Sequence, residues 1–200
     1  AMEACMKVKG FATVLAYSAI GVLVLMGSQS SSARAQDDQT ARAHGHAPAS
    51  SNAFVRTVRE ATERFRDVAV AEAEGYHLAF GCVSGPDSGA MGLHYVNMAL
   101  VGDGELDATR PEIVIYEPRP NGRLKLIGAD FLVFADAWDK KGIGTPQLGG
   151  QLLHLFESPN RFGLPAFYTL HVWAWKENPT GMFVNWHAKV SCEGFSAQNP

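Results

Sequence analysis

The chain has 200 residues, 46% of them hydrophobic and 18% charged, which fits one packed domain or at most two small ones and excludes a disordered tail protein. With 17 basic against 20 acidic residues and no Lys/Arg run, the net charge of −3 gives no electrostatic case for a nucleic-acid partner, and none is expected. Three cysteines are an odd count for an exported chain, and an odd count leaves one thiol unpaired unless processing removes it.

Lys7 and Lys9 precede an uncharged run from Phe11 to Met26, followed by small polar residues and Ala33-Arg34-Ala35. A basic region, an apolar run and an A-x-A site in that order predict a signal peptide over residues 1–35. The apolar run is short of the roughly 20 residues a membrane-spanning helix needs, so no integral membrane segment is expected after cleavage. Cleavage also removes Cys5, leaving Cys82 and Cys192. In the oxidising periplasm or outside the cell these two are expected to pair. Residues 36–51, rich in Gln, Asp, Ala, Ser and His, read as a flexible leader, with His44 and His46 in a solvated linker.

From Asn52 the apolar positions Phe54, Val58, Ala61, Phe65 and Val68 recur at helical spacing, with charged residues on the other faces. This predicts one amphipathic helix, capped by Ser51 or Asn52 and stopped at Gly75. The glycine-rich stretch Gly81–Asn97 lacks the ending of a phosphate-binding loop and the spacing of a nucleophile elbow, and reads as a loop needing positive φ. Glu112–Tyr116 and Leu124–Phe134, joined by the Asn121-Gly122 turn, predict an antiparallel hairpin. Leu148–Phe156 suits either helix or strand, Phe167–Trp175 is the most strand-like segment, and Met182–Val190 reads as a last strand. The expected fold class is α+β, with a long N-terminal amphipathic helix packed on a curved antiparallel β-sheet or partial barrel. Residues 52–200 form a single disulfide-linked domain in this reading.

No HExxH and no zinc-finger array occurs, so any metal site must gather residues from separate segments. His94 follows the glycine stretch, His154 lies in an apolar run and His171 sits mid-strand among aromatics; Glu117 ends the first hairpin strand and can supply an oxygen ligand. Three imidazoles and a carboxylate suit zinc, copper or iron. Phe167, Tyr168, Trp173 and Trp175 read as core aromatics, with an aromatic pocket for a small ligand as the alternative.

The blocks Gly81-Cys82, Met91-Gly92-Leu93-His94-Tyr95-Val96-Asn97, Tyr116-Glu117-Pro118, Leu170-His171-Val172-Trp173-Ala174-Trp175 with Asn178-Pro179 and Gly181, and Val190-Ser191-Cys192 occur in this order. Together they resemble a family of uncharacterised exported bacterial proteins. The resemblance implies that the cysteine pair and His94, His154 and His171 belong to the family's pattern, and it implies no activity. His187, in Trp186-His187-Ala188, stands where the family pattern has Asn, which excludes it from the expected ligands. The leading expectation is a periplasmic or secreted protein binding a transition metal through His94, His154, His171 and Glu117. The alternative is a non-catalytic small-ligand or structural envelope protein without metal.

Overall fold

A computed structural model of the chain describes residues 49–195. The expected signal peptide and both histidines of the leader lie outside the described residues. The described residues open with helix α1 (Ala49–Thr62), a 3-10 turn (Glu63–Arg66) and helix α2 (Val68–Ala73). Strands β1 (His77–Gly85) and β2 (Gly89–Val96), helix α3 (Met98–Asp103), and strands β3 (Ile113–Pro118) and β4 (Leu124–Phe134) follow. Helix α4 (Ala135–Asp139), the short strands β5 (Gln147–Leu148), β6 (Gln151–Leu152) and β7 (His154–Phe156), and strand β8 (Phe167–Val172) complete the order. Six strands form one curled antiparallel sheet in the order β1-β2-β3-β4-β8-β7, and β5 pairs with β6 separately.

The expected fold class is corrected by this architecture. A curled sheet with short helices replaces the long N-terminal helix on a sheet, because the apolar stripe from Phe54 to Val68 is carried by three pieces. The breaks have local causes. The Thr62 hydroxyl donates to Val58 O at 2.7 Å and accepts from Trp175 Nε1 at 2.9 Å, an arrangement that bends a helix end and tightens the following turn. Asp67 then leaves helical geometry (φ −95°, ψ 113°) and caps α2 by accepting from Ala69 N. Apolar spacing reports the buried face, whereas the backbone break is set by capping chemistry. The expected caps also differ: Ser51 and Asn52 both lie inside α1.

Helix α1 buries Phe54, Val55 and Val58 against Ala129, Phe131, Leu170 and Val172 of β4 and β8. Phe65 and Tyr76 continue this layer over Leu93, Tyr95, Val114 and Tyr116, and the Tyr116 hydroxyl donates to Phe65 O at 2.7 Å. Side chains alternate across strands, so the opposite face carries Val96, Ile113, Ile115, Leu132 and Phe167, a second core. Segment Leu148–Phe156 resolves into three short strands. The glycine stretch is a hairpin of β1 and β2 closed at the Gly85–Gly89 pair, not an open loop. The expected last strand at Met182–Val190 is irregular: Asn178 Nδ2 donates to Trp186 O, and a single bridge between Ala90 and His187 replaces a ladder.

Cys82 and Cys192 form a disulfide, with Cα atoms 5.8 Å apart, that fastens β1 to the C-terminal segment across 110 residues of sequence. Among the described residues no helix is long and apolar enough to cross a membrane. Closing a loop of this length restricts the unfolded chain, so the Cys82→Ser, Cys192→Ser double variant is expected to lose about 4 kcal/mol of unfolding free energy in urea titration. An unchanged midpoint would show that the bridge does not constrain the unfolded ensemble.

Candidate metal centre

His94, Asp130 and His171 project from the face opposite α1. Asp130 of β4 is the register partner of His171 of β8, and His94 of β2 pairs with Ile115 of β3. One donor atom from each of the three buried residues lies within 4.8 Å of the others. Donors on one tetrahedral ion at roughly 2.0–2.2 Å lie about 3.3–3.6 Å apart. The cluster can therefore hold a metal ion once its side chains draw together.

Each residue is prepared differently. The Nδ1 of His94 faces Gly92 O at 3.2 Å, which makes Nδ1 the protonated nitrogen and leaves the Nε2 lone pair free. Burial pushes the His94 imidazole down to about 4, against the opposing bond to Gly92. Gly92 has φ +100°, and a Cβ there would stand 2.6 Å from Tyr116 O, so the carbonyl that orients His94 belongs to a position where a side chain does not fit. Burial also holds His171 well below its ordinary value, reinforced by His94 and His187 nearby. Both imidazoles are thus neutral near pH 7, the form that ligates metals. His171 is fully buried, packs on Trp173 with ring centroids 4.4 Å apart, and neither of its nitrogens has a hydrogen-bond partner. An unsatisfied buried polar group costs about 1–3 kcal/mol.

The Oδ1 of Asp130 accepts from the Thr169 hydroxyl at 2.5 Å. Burial raises its carboxyl to about 7, against that hydrogen bond and backbone donors at Leu170 and Phe131. A cation between the three residues favours the carboxylate.

The expected ligands separate in the structure. His94 and His171 come together, with ring centroids 6.2 Å apart, whereas His154 and Glu117 are outside the cluster. His154 is exposed on β7, the three-residue edge strand, where it is the register partner of Thr169. Glu117 is buried near the far end of β3, accepting from Lys176 Nζ at 2.7 Å with Arg119 Nη2 2.9 Å away, so its charge is already paired. Asp130 is not among the expected ligands because it stands in the apolar run Leu124–Phe134. That placement was itself the available signal, since a carboxylate inside a buried strand needs a partner. His187 is buried and satisfied: its Nε2 donates to Glu177 O at 3.0 Å and its Nδ1 accepts from Lys189 N at 3.0 Å. The sequence aromatics are divided. Phe167 and Trp173 are core, while Trp175 lies under the Arg66 guanidinium, 4.6 Å from ring centroid to Cζ.

A second buried carboxyl, Glu112, accepts from Leu132 N at 3.0 Å. Burial pushes it up to about 8, helped by the charge of Asp130. Comparison with family models, with curated proteins and with solved structures gives no match.

Because the folded-state value of Glu112 lies above the 4.5 of an unperturbed carboxyl, the folded protein binds more protons than the unfolded chain between these values. Its contribution is fully present below about pH 4.5 and declines as pH rises towards 8. Glu112→Gln should therefore flatten the fall in stability across that window in denaturant titrations at several pH values. A slope equal to that of the parent protein would contradict the assignment.

Proposed function

We propose that this protein is an exported metal protein. In this reading one divalent transition-metal ion is held by His94 Nε2, a carboxylate oxygen of Asp130 and one ring nitrogen of His171. The observation that carries the proposal is His171: a fully buried imidazole with both nitrogens unpartnered, opposite a buried carboxylate and beside a second neutral imidazole with a free lone pair. A core built for packing alone would place an apolar side chain there. A metal ion would partner one of the two ring nitrogens and neutralise Asp130 in one step.

Two imidazoles and one carboxylate form the donor set of catalytic zinc sites and of non-haem iron(II) sites. Three protein donors leave the remaining positions of a four- to six-coordinate ion to small molecules. Gly92 O, behind His94, and the Thr169 hydroxyl, on Asp130, are the groups that orient the ligands. The disulfide accords with an oxidising compartment, and the resemblance of the ordered blocks to a family of exported bacterial proteins fits the same placement.

Protein purified without an affinity tag is expected to contain about one equivalent of zinc or iron by elemental analysis, and His94→Ala should lose it. The metal-free His171→Leu variant should be more stable than the metal-free parent by about 1 kcal/mol, since it removes an unsatisfied polar group. It should gain nothing from added metal. A parent protein that binds no metal, or a His171→Leu variant that is markedly destabilised without it, would refute the proposal.

A further inference from the structure

Beside His94 and Asp130 lies a cavity of about 30 Å³, enough for one or two small heavy-atom groups, which opens to the surface between aromatic walls. His94, Asp130 and Thr169 form its polar floor, and Phe80, Met91, Phe156, Phe162, Leu164 and Phe167 form its walls. No lysine or arginine lines it.

The mouth is built by two irregular segments. In the β1–β2 ladder Ala79 pairs with His94 and Cys82 with Leu93, so Phe80 and Gly81 bulge out of register directly beside His94. Bulges of this kind re-aim a side chain next to a functional site. Phe80 takes a left-handed φ of +64°, unfavourable for a side-chain-bearing residue, and the residue is 45% exposed. The disulfide at Cys82 anchors the end of the bulge. Facing it, Asn160 pins a loop by accepting from Phe162 N and Leu164 N and donating to Leu164 O. Phe162 meets Phe80 edge-on with ring centroids 5.4 Å apart. Core packing alone does not require strained backbone to hold an aromatic ring half in solvent.

We propose that this cleft is the ligand entrance of the metal centre and takes a short-chain apolar monoanion headed by a carboxylate. The head completes the coordination of the ion and the tail lies along Phe80, Phe156 and Phe162. The inference rests on the metal reading: two neutral imidazoles and one carboxylate leave a divalent ion with a net charge of +1, the positive charge of a cleft whose walls are apolar. That charge fits a single anionic head, and the narrow floor admits little more than the head itself.

The test is a titration of the cobalt(II)-loaded full chain with straight-chain carboxylates from acetate to octanoate, read by the cobalt absorption bands. Affinity is expected to rise about three- to fourfold per methylene until the cleft is filled. Phe162→Ala and, independently, Phe80→Ala should weaken octanoate about tenfold and leave acetate and cobalt uptake unchanged. Cobalt bands that carboxylates shift without dependence on chain length would overturn this inference and leave the metal reading standing. So would octanoate binding equally well to the metal-free protein. Absence of cobalt bands in the parent protein would overturn the metal reading, and this inference with it.

Discussion

The curl of the six-stranded sheet is the constraint on which the candidate centre depends. His94 and His171 sit on β2 and β8, which are separated in sheet order by β3 and β4. Three strand spacings in a flat sheet amount to about 14 Å, yet the two rings are 6.2 Å apart. Only a sheet that folds towards its second face brings these side chains to Asp130. Helix α1 covers the other face, where Phe54, Val55 and Val58 seal β4 and β8. The close approach of Gly92 to Tyr116 O keeps β2 tight against β3, and the disulfide fastens the β1 edge to the chain's last described segment.

The sheet thus performs two tasks with opposite energetic signs. Its helix-covered face is an apolar core that stabilises the fold in the ordinary way. The opposite face mixes apolar residues with the buried polar groups His94, Asp130, Thr169 and His171, none more than 5% exposed. Asp130 is held partly protonated near neutrality by that burial, and His171 has no polar contact to offset its desolvation. An ion at the proposed centre would repay such a concentration of cost on one face. The aromatic mouth built from Phe80 and Phe162 lies on this same face.

What was legible in the sequence follows local physics. The hairpin of β3 and β4 was marked by its turn residues, strand β8 by alternation, and the disulfide by the arithmetic of an exported chain. His94 and His171 stood out as imidazoles in apolar or glycine-rich surroundings. The remainder depended on tertiary partners. Asp130 was hidden within a strand read only for its apolar residues, and its role depends on register with His171. Glu117 has the chemistry of a ligand, but Lys176 and Arg119, distant in sequence from one another, neutralise it. His154 lies in an apolar run that becomes an exposed edge strand, since β7 is too short to be covered. The break at Asp67 was written in a capping residue that the helical apolar spacing overrode.

The central claim is that His94, Asp130 and His171 share one ion. Anomalous diffraction at the absorption edge of the metal, from crystals of protein loaded with zinc or iron, tests it most directly. The account predicts one strong peak within about 2.3 Å of His94 Nε2, an Asp130 carboxylate oxygen and a ring nitrogen of His171. A peak at His154 or Glu117, or none at the three buried residues in metal-saturated crystals, would contradict it.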